Sequence, residues 1–131
     1  MTRILVVEDD EQVRTMLCMT LRQAGYETVE ADSGRSAREV QARQPADLVV
    51  TDIIMPEEDG LETIMHFRKN YPRTRLIAIS GGGRVDARDF LKDAQLLGAA
   101  VTFQKPVDRR QLLGAVRDLL GEAKRDDPSA A

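Results

Sequence analysis

Five side chains in this sequence could do chemistry together. Glu8 and Asp9 follow the apolar run Ile4-Leu5-Val6-Val7, and Asp52 closes Leu48-Val49-Val50-Thr51. Ser80 closes Leu76-Ile77-Ala78-Ile79 and leads into Gly81-Gly82-Gly83, and Lys105 follows a further apolar run and precedes Pro106. Each polar group stands at the carboxyl end of a stretch that reads as a buried strand. A carboxylate in such a place cannot stay charged unless it is paired or bound to a cation. Two carboxylates about 4 Å apart repel by about 4 kcal/mol at an effective dielectric of roughly 20. A hard divalent cation removes that penalty, and a few clustered carboxylates suit Mg²⁺, which keeps waters that a phosphate can replace. Lys105 adds a compact positive charge, Ser80 a hydroxyl donor, and Gly81 a backbone that can come close to a ligand. These parts suit a phosphoryl group attached where the run ends meet. Metal and ammonium would neutralise its oxygens while a carboxylate attacks phosphorus in line. Asp52, on the middle run, is the expected nucleophile.

The elements that must position these groups alternate in type. Strands are predicted over residues 4–7, 27–31, 48–52, 75–80 and 99–104, the second polar enough to lie at a sheet edge. The helix after the first strand carries Val13, Met16, Leu17, Thr20, Leu21 and Ala24 at helical spacing and ends at Gly25. Asp10 or Glu11 serves its amino end as a cap, which does not account for Glu8 and Asp9. Further helices are predicted over 35–43, from Leu61 to near Tyr71-Pro72, over 86–97, and from the cap Asp108 to Leu120, with Gly121 as the stop. Strand and helix alternating five times give an α/β fold with a parallel sheet covered on both faces. Such a sheet brings every strand's carboxyl end to one rim, which is where ligands bind.

The 131 residues suit one domain over 1–121 and a frayed polar tail over 122–131. A net charge of −3 and 4% aromatics without Trp leave no basic footprint or stacking platform, so no direct nucleic-acid binding is expected. One cysteine excludes an internal disulfide and a Cys-rich metal site. The first apolar run is too short for a signal peptide or a membrane span, so a cytoplasmic protein without a membrane partner is expected. Cys18, Met16, Leu17 and Met19 read as packing residues of the first helix, and His66 as a surface residue without a catalytic role.

Val6-Val7-Glu8-Asp9, Asp52 with Met55-Pro56 and Asp59-Gly60, Ile79-Ser80, and Lys105-Pro106 together resemble the receiver domain of two-component response regulators, over residues 2 to 121. The resemblance implies a flavodoxin-like, CheY-like fold with strand order 2-1-3-4-5. It implies that Asp52 accepts a phosphoryl group from a sensor histidine kinase or a histidine phosphotransfer protein. It gives Mg²⁺ the ligands Asp9, Glu8 through water, Asp52 and the backbone carbonyl of Ile54. Ser80, Gly81 and Lys105 would then surround the phosphoryl oxygens, Ser80 would move on activation, and the Lys105–Pro106 bond would often be cis. A downstream protein, whose identity the residues do not give, would dock on the face formed by the fourth and fifth predicted helices and the fifth strand.

The sequence departs from that pattern in two places. Where the family usually has an aromatic switch, three residues before the lysine, stands Thr102, and Phe103 should point to the opposite face. The run Gly81-Gly82-Gly83 is also unusual. The combination resembles small stand-alone receivers; a receiver cut from a longer regulator and a non-phosphorylated pseudo-receiver are the alternatives. A phosphatase that uses an aspartyl-phosphate would normally have a second acid two residues after its nucleophile, where this chain has Ile54. A flavin carrier would need hydroxyls and glycines where Glu8-Asp9-Asp10 stand. The expectation is therefore a phosphoacceptor and not an enzyme, with at most self-catalysed phosphorylation and dephosphorylation.

Overall fold

Apolar runs long enough for one strand, each followed by an amphipathic stretch, can bury both faces of a sheet only if the chain crosses back after every strand. The structure, a computed structural model, describes residues 2–53, 60–81, 92, 94–95 and 97–121. Its elements are β1 (Arg3–Val7), α1 (Glu11–Gln23), β2 (Glu27–Ala31), α2 (Gly34–Arg43), β3 (Leu48–Asp52), α3 (Gly60–Asn70), β4 (Arg75–Ser80), β5 (Val101–Gln104) and a last helix, α4 (Arg109–Leu120). The five strands form one sheet in the order β2-β1-β3-β4-β5, as the resemblance implied, and every pairing is parallel.

Alternation along the strands sends side chains to two cores. Leu5, Val7, Val49, Leu76 and Ala78 pack with Ala37 of α2 and Ile64 and Phe67 of α3 on one face. Ile4, Val6, Leu48, Val50, Ile77 and Ile79 pack with Leu17, Cys18 and Leu21 of α1 and Leu112 and Val116 of α4 on the other. The polar strand β2 does form one edge, and β3 is central, with all five residues buried. Cys18 is buried, as its place on α1 predicts. Met16 and Met19 are not: they are exposed, Met19 by 52%, and flank a surface groove of about 470 Å³ with Thr15, Thr20 and Arg109. Their flanking residues Leu17, Cys18, Thr20 and Leu21 fill the stripe facing the sheet, so the methionines fall one step outside it. His66 is half-buried, its ring edge-on to Phe67.

Local chemistry sets the ends of the helices. Asp10 caps α1, its Oδ1 accepting from the backbone N–H groups of Gln12 and Val13. Ser33 and Ser36 form a reciprocal capping box that starts α2 one residue earlier than predicted, at Gly34. Asp108 caps α4, and Gly121 closes it in the left-handed conformation at φ 72°. The last strand is shorter than predicted and begins at Val101, because Gly98 and Ala99 turn back onto Ala94 through backbone hydrogen bonds. The predicted metal ligand Ile54, the turn residues Met55, Pro56 and Asp59, the glycines Gly82 and Gly83, most of the helix predicted over 86–97, and the tail 122–131 lie outside the described residues.

Candidate functional site

The strand ladder continues one step past each strand end and carries the polar residues with it. The Glu8 N–H donates to the Ala31 carbonyl (3.0 Å), and the Ile53 N–H, just after Asp52, donates to Ile79 (3.0 Å). The Lys105 N–H donates to the Ser80 carbonyl (2.9 Å). Asp52 pairs with Ile79 in register, so Ser80 begins one residue above it and Lys105 one residue beyond the Ser80–Gln104 pair. Side chains from near both ends of the sequence thereby reach one rim.

They meet there. Lys105 Nζ lies 2.7 Å from Asp52 Oδ2 and 2.5 Å from Glu8 Oε1, bridging two buried carboxylates that are 4% and 1% exposed. Carboxylate oxygens of Glu8, Asp9 and Asp52 all fall within 4.8 Å of one another. Asp9 is the exposed member, so the cluster opens to solvent on its side. Glu8 Oε2 accepts from the Asp10 N–H (3.1 Å), and the Glu8 carbonyl accepts from Arg14 Nη1 (2.8 Å). Burial pushes the Glu8 carboxyl up to about 7; the Lys105 hydrogen bond pulls it down, and the charge of Asp52 adds to the rise. Burial alone would lower the Lys105 ammonium, but its hydrogen bonds to Asp52 and Glu8 outweigh that and hold it above its ordinary value.

Two further groups complete the rim. Ser80 is fully buried, and its Oγ has no hydrogen-bond partner among the described residues. A buried hydroxyl gains from a hydrogen-bond partner, and Ser80 Oγ offers a donor at this rim. A Cβ on Gly81 would approach Lys105 Cδ to 3.2 Å, so the glycine gives the lysine stem its path to the carboxylates. Thr102 pairs with Ala78 and so shares a face with Ser80, two residues further along β4. Phe103 pairs with Ile79 and packs into the other core, against the opposite face. The Lys105–Pro106 peptide is cis.

The donor set suits a hard divalent cation: three carboxylates around one point, one of them open to water, with hydroxyl and ammonium beside them. It also offers an anion two partners, Ser80 and Lys105, within the same rim. Arg14 was not singled out as part of this site by the sequence. Its partners Glu8 and Glu30 stand 6 and 16 positions away, one just after β1 and the other on β2, so no local spacing signals the contact.

Comparison with known proteins gives one answer. Residues 4–117 match the family described as "Response regulator receiver domain". The response regulator receiver protein CpdR of Brucella abortus is 34% identical over 123 residues, an overlap covering 92% of this chain and 98% of that protein. The response regulator protein PilR of Pseudomonas aeruginosa is 32% identical over 94% of this chain, which spans 26% of PilR's length. The chemotaxis protein CheY4 of Vibrio cholerae superposes with a TM-score of 0.80 at 26% identity, covering 91% of this chain and 98% of that one. Among the described residues no helix is long and apolar enough to cross a membrane.

Proposed function

This chain belongs to the response regulator receiver family, phosphoacceptor switches of two-component signalling, and on that premise we propose that Asp52 is the residue that takes the phosphoryl group. The observation that carries the assignment is the Lys105 ammonium, hydrogen-bonded to Asp52 and paired with Glu8 at the mouth of the central strand, with Asp9 in the same cluster. The donor would be a phosphohistidine on a sensor kinase or a phosphotransfer protein. An oxygen of Asp52 attacks phosphorus, the P–N bond breaks, and its electron pair returns to the imidazole. Lys105 turns from the carboxylates to the phosphoryl oxygens, and the Ser80 hydroxyl, without a partner among the described residues, donates to another of them. Gly81 keeps the Lys105 stem and the approach clear. Glu8, Asp9 and Asp52 would hold Mg²⁺, which would supply neutralisation of the phosphoryl charge.

The output on this reading is a shift between two arrangements of the sheet edge around β5, coupled to Ser80 and felt by a downstream protein. Thr102 stands on the Ser80 face in place of an aromatic ring, so the switch works with a smaller side chain. On this reading the receiver works in the cytosol and turns over only its own phosphoryl group. Incubation with radiolabelled acetyl phosphate and Mg²⁺ tests the assignment. Wild type takes up label and Asp52→Asn does not; full-yield labelling of Asp52→Asn rejects Asp52 as the acceptor.

A further inference from the structure

The peptide bond joining Glu8 to Asp9 is held from outside the acid cluster. Arg14, one turn into α1, reaches back and donates from Nη1 to the Glu8 carbonyl at 2.8 Å. Its Nε donates to Glu30 Oε1 on β2 at 3.1 Å, and Glu30 is in turn paired with Arg22 at 3.5 Å. The guanidinium is thus clamped at one end by a neighbouring strand and at the other by the carbonyl that separates the two acids. The Arg14 side chain is half-buried, 18% exposed. Glu8's own carboxylate is fixed separately, by the Asp10 N–H and Lys105. Asp9 is the exposed acid of the cluster, and its backbone N–H belongs to the peptide whose carbonyl Arg14 holds.

We propose that Arg14 is a positioning residue for the cation site: it fixes the Glu8–Asp9 peptide so that the Asp9 carboxylate stays aimed at the point shared with Glu8 and Asp52. The inference rests on the reading of that cluster as a Mg²⁺ site. A plain surface ion pair between Arg14 and Glu30 would contribute little and would leave the acids indifferent to its loss. The carbonyl contact makes the difference, because a group that orients a ligand without touching the metal controls affinity through geometry. Charge and geometry oppose each other here. Removing a positive charge beside three carboxylates tightens cation binding if charge alone matters, and weakens it if Arg14 aims Asp9.

The test is calorimetric titration of Mg²⁺ into wild type, Arg14→Ala, Arg14→Met and Arg14→Lys, with metal-free thermal unfolding measured alongside. Arg14→Met keeps the aliphatic stem and its packing, so the methionine variant is decisive if the alanine variant does not fold. The expected result is a Mg²⁺ dissociation constant raised by about tenfold or more in the alanine and methionine variants. Arg14→Lys, which restores one donor toward the Glu8 carbonyl, recovers most of the loss. A methionine variant that binds Mg²⁺ as tightly as wild type, or more tightly, overturns the proposal, whatever its metal-free unfolding temperature. Wild type that binds no Mg²⁺ overturns the cation-site reading and this inference with it, whereas tight binding by wild type and the methionine variant alike overturns this inference alone.

Discussion

At the scale of single residues, the site combines groups whose environments oppose their charge. Glu8 is the sharpest case: desolvation raises its carboxyl to about 7 from an ordinary 4.5. Between those values the metal-free folded protein holds a proton that the unfolded chain has released. The stability owed to this group is therefore full below pH 4.5 and lost as pH climbs through about 7. A cation at the site must displace that proton, so binding gains across the same window. Mg²⁺ should raise the unfolding temperature more well above pH 7 than well below it; an increment indifferent to pH would show that Glu8 is not sensed by the cation. Ser80 gives a second prediction of opposite kind. Its buried hydroxyl has no partner to lose among the described residues, so Ser80→Ala should leave stability unchanged or raise it by up to about 1 kcal/mol. The same substitution should slow phosphoryl uptake from acetyl phosphate by about tenfold or more if Ser80 donates to the transferred group as proposed. Slowed uptake with an intact unfolding transition is the signature to look for.

At the scale of elements, the acids after β1 divide their work by one residue each. Glu8 continues the ladder, Asp9 faces the cluster, and Asp10 turns to the helix, accepting from Gln12 and Val13. Asp10→Ala should cost about 1 kcal/mol, as loss of a cap does, measured by denaturant unfolding. Because the Asp10 N–H also donates to Glu8 through the backbone, that bond survives the substitution. Mg²⁺ affinity should then change far less than stability, and an equal loss of both would place Asp10 in the cation site itself. The capping box at Ser33–Ser36 and the left-handed Gly121 belong to the same class of local signal. Each is readable from a few consecutive residues because its hydrogen bonds close within one turn.

At the scale of the whole molecule, one parallel sheet divides two cores and gathers the site on its rim. The core beneath α2 and α3 is anchored by Phe67, fully buried, while the core beneath α1 and α4 is mostly aliphatic, with Tyr26 buried in it and Phe103 packed against it. Phe67→Ala should cost about 3–5 kcal/mol. With both cores sharing β1, β3 and β4, the loss should appear as one cooperative transition at lower denaturant and not as melting of a single face. Saturating Mg²⁺ should recover part of it by mass action, since the acid cluster exists only in the folded sheet.

The sequence by itself determined the alternation of strands and helices, the edge character of β2, and five residues at strand ends, because hydrophobic period and breakers are local properties of the chain. Their convergence, implied by the order of the strands, became a distance only with the fold: Lys105 on Asp52 and Glu8 across the ladder, Gly81 beside the lysine stem. Tertiary structure alone decided that Met16 and Met19 fall outside the buried stripe, that Glu8 is so deeply desolvated, and that Arg14 reaches the Glu8 carbonyl. Those outcomes depend on which surfaces cover one another and on contacts between neighbouring strands, and no periodicity along a single chain encodes a distance across it.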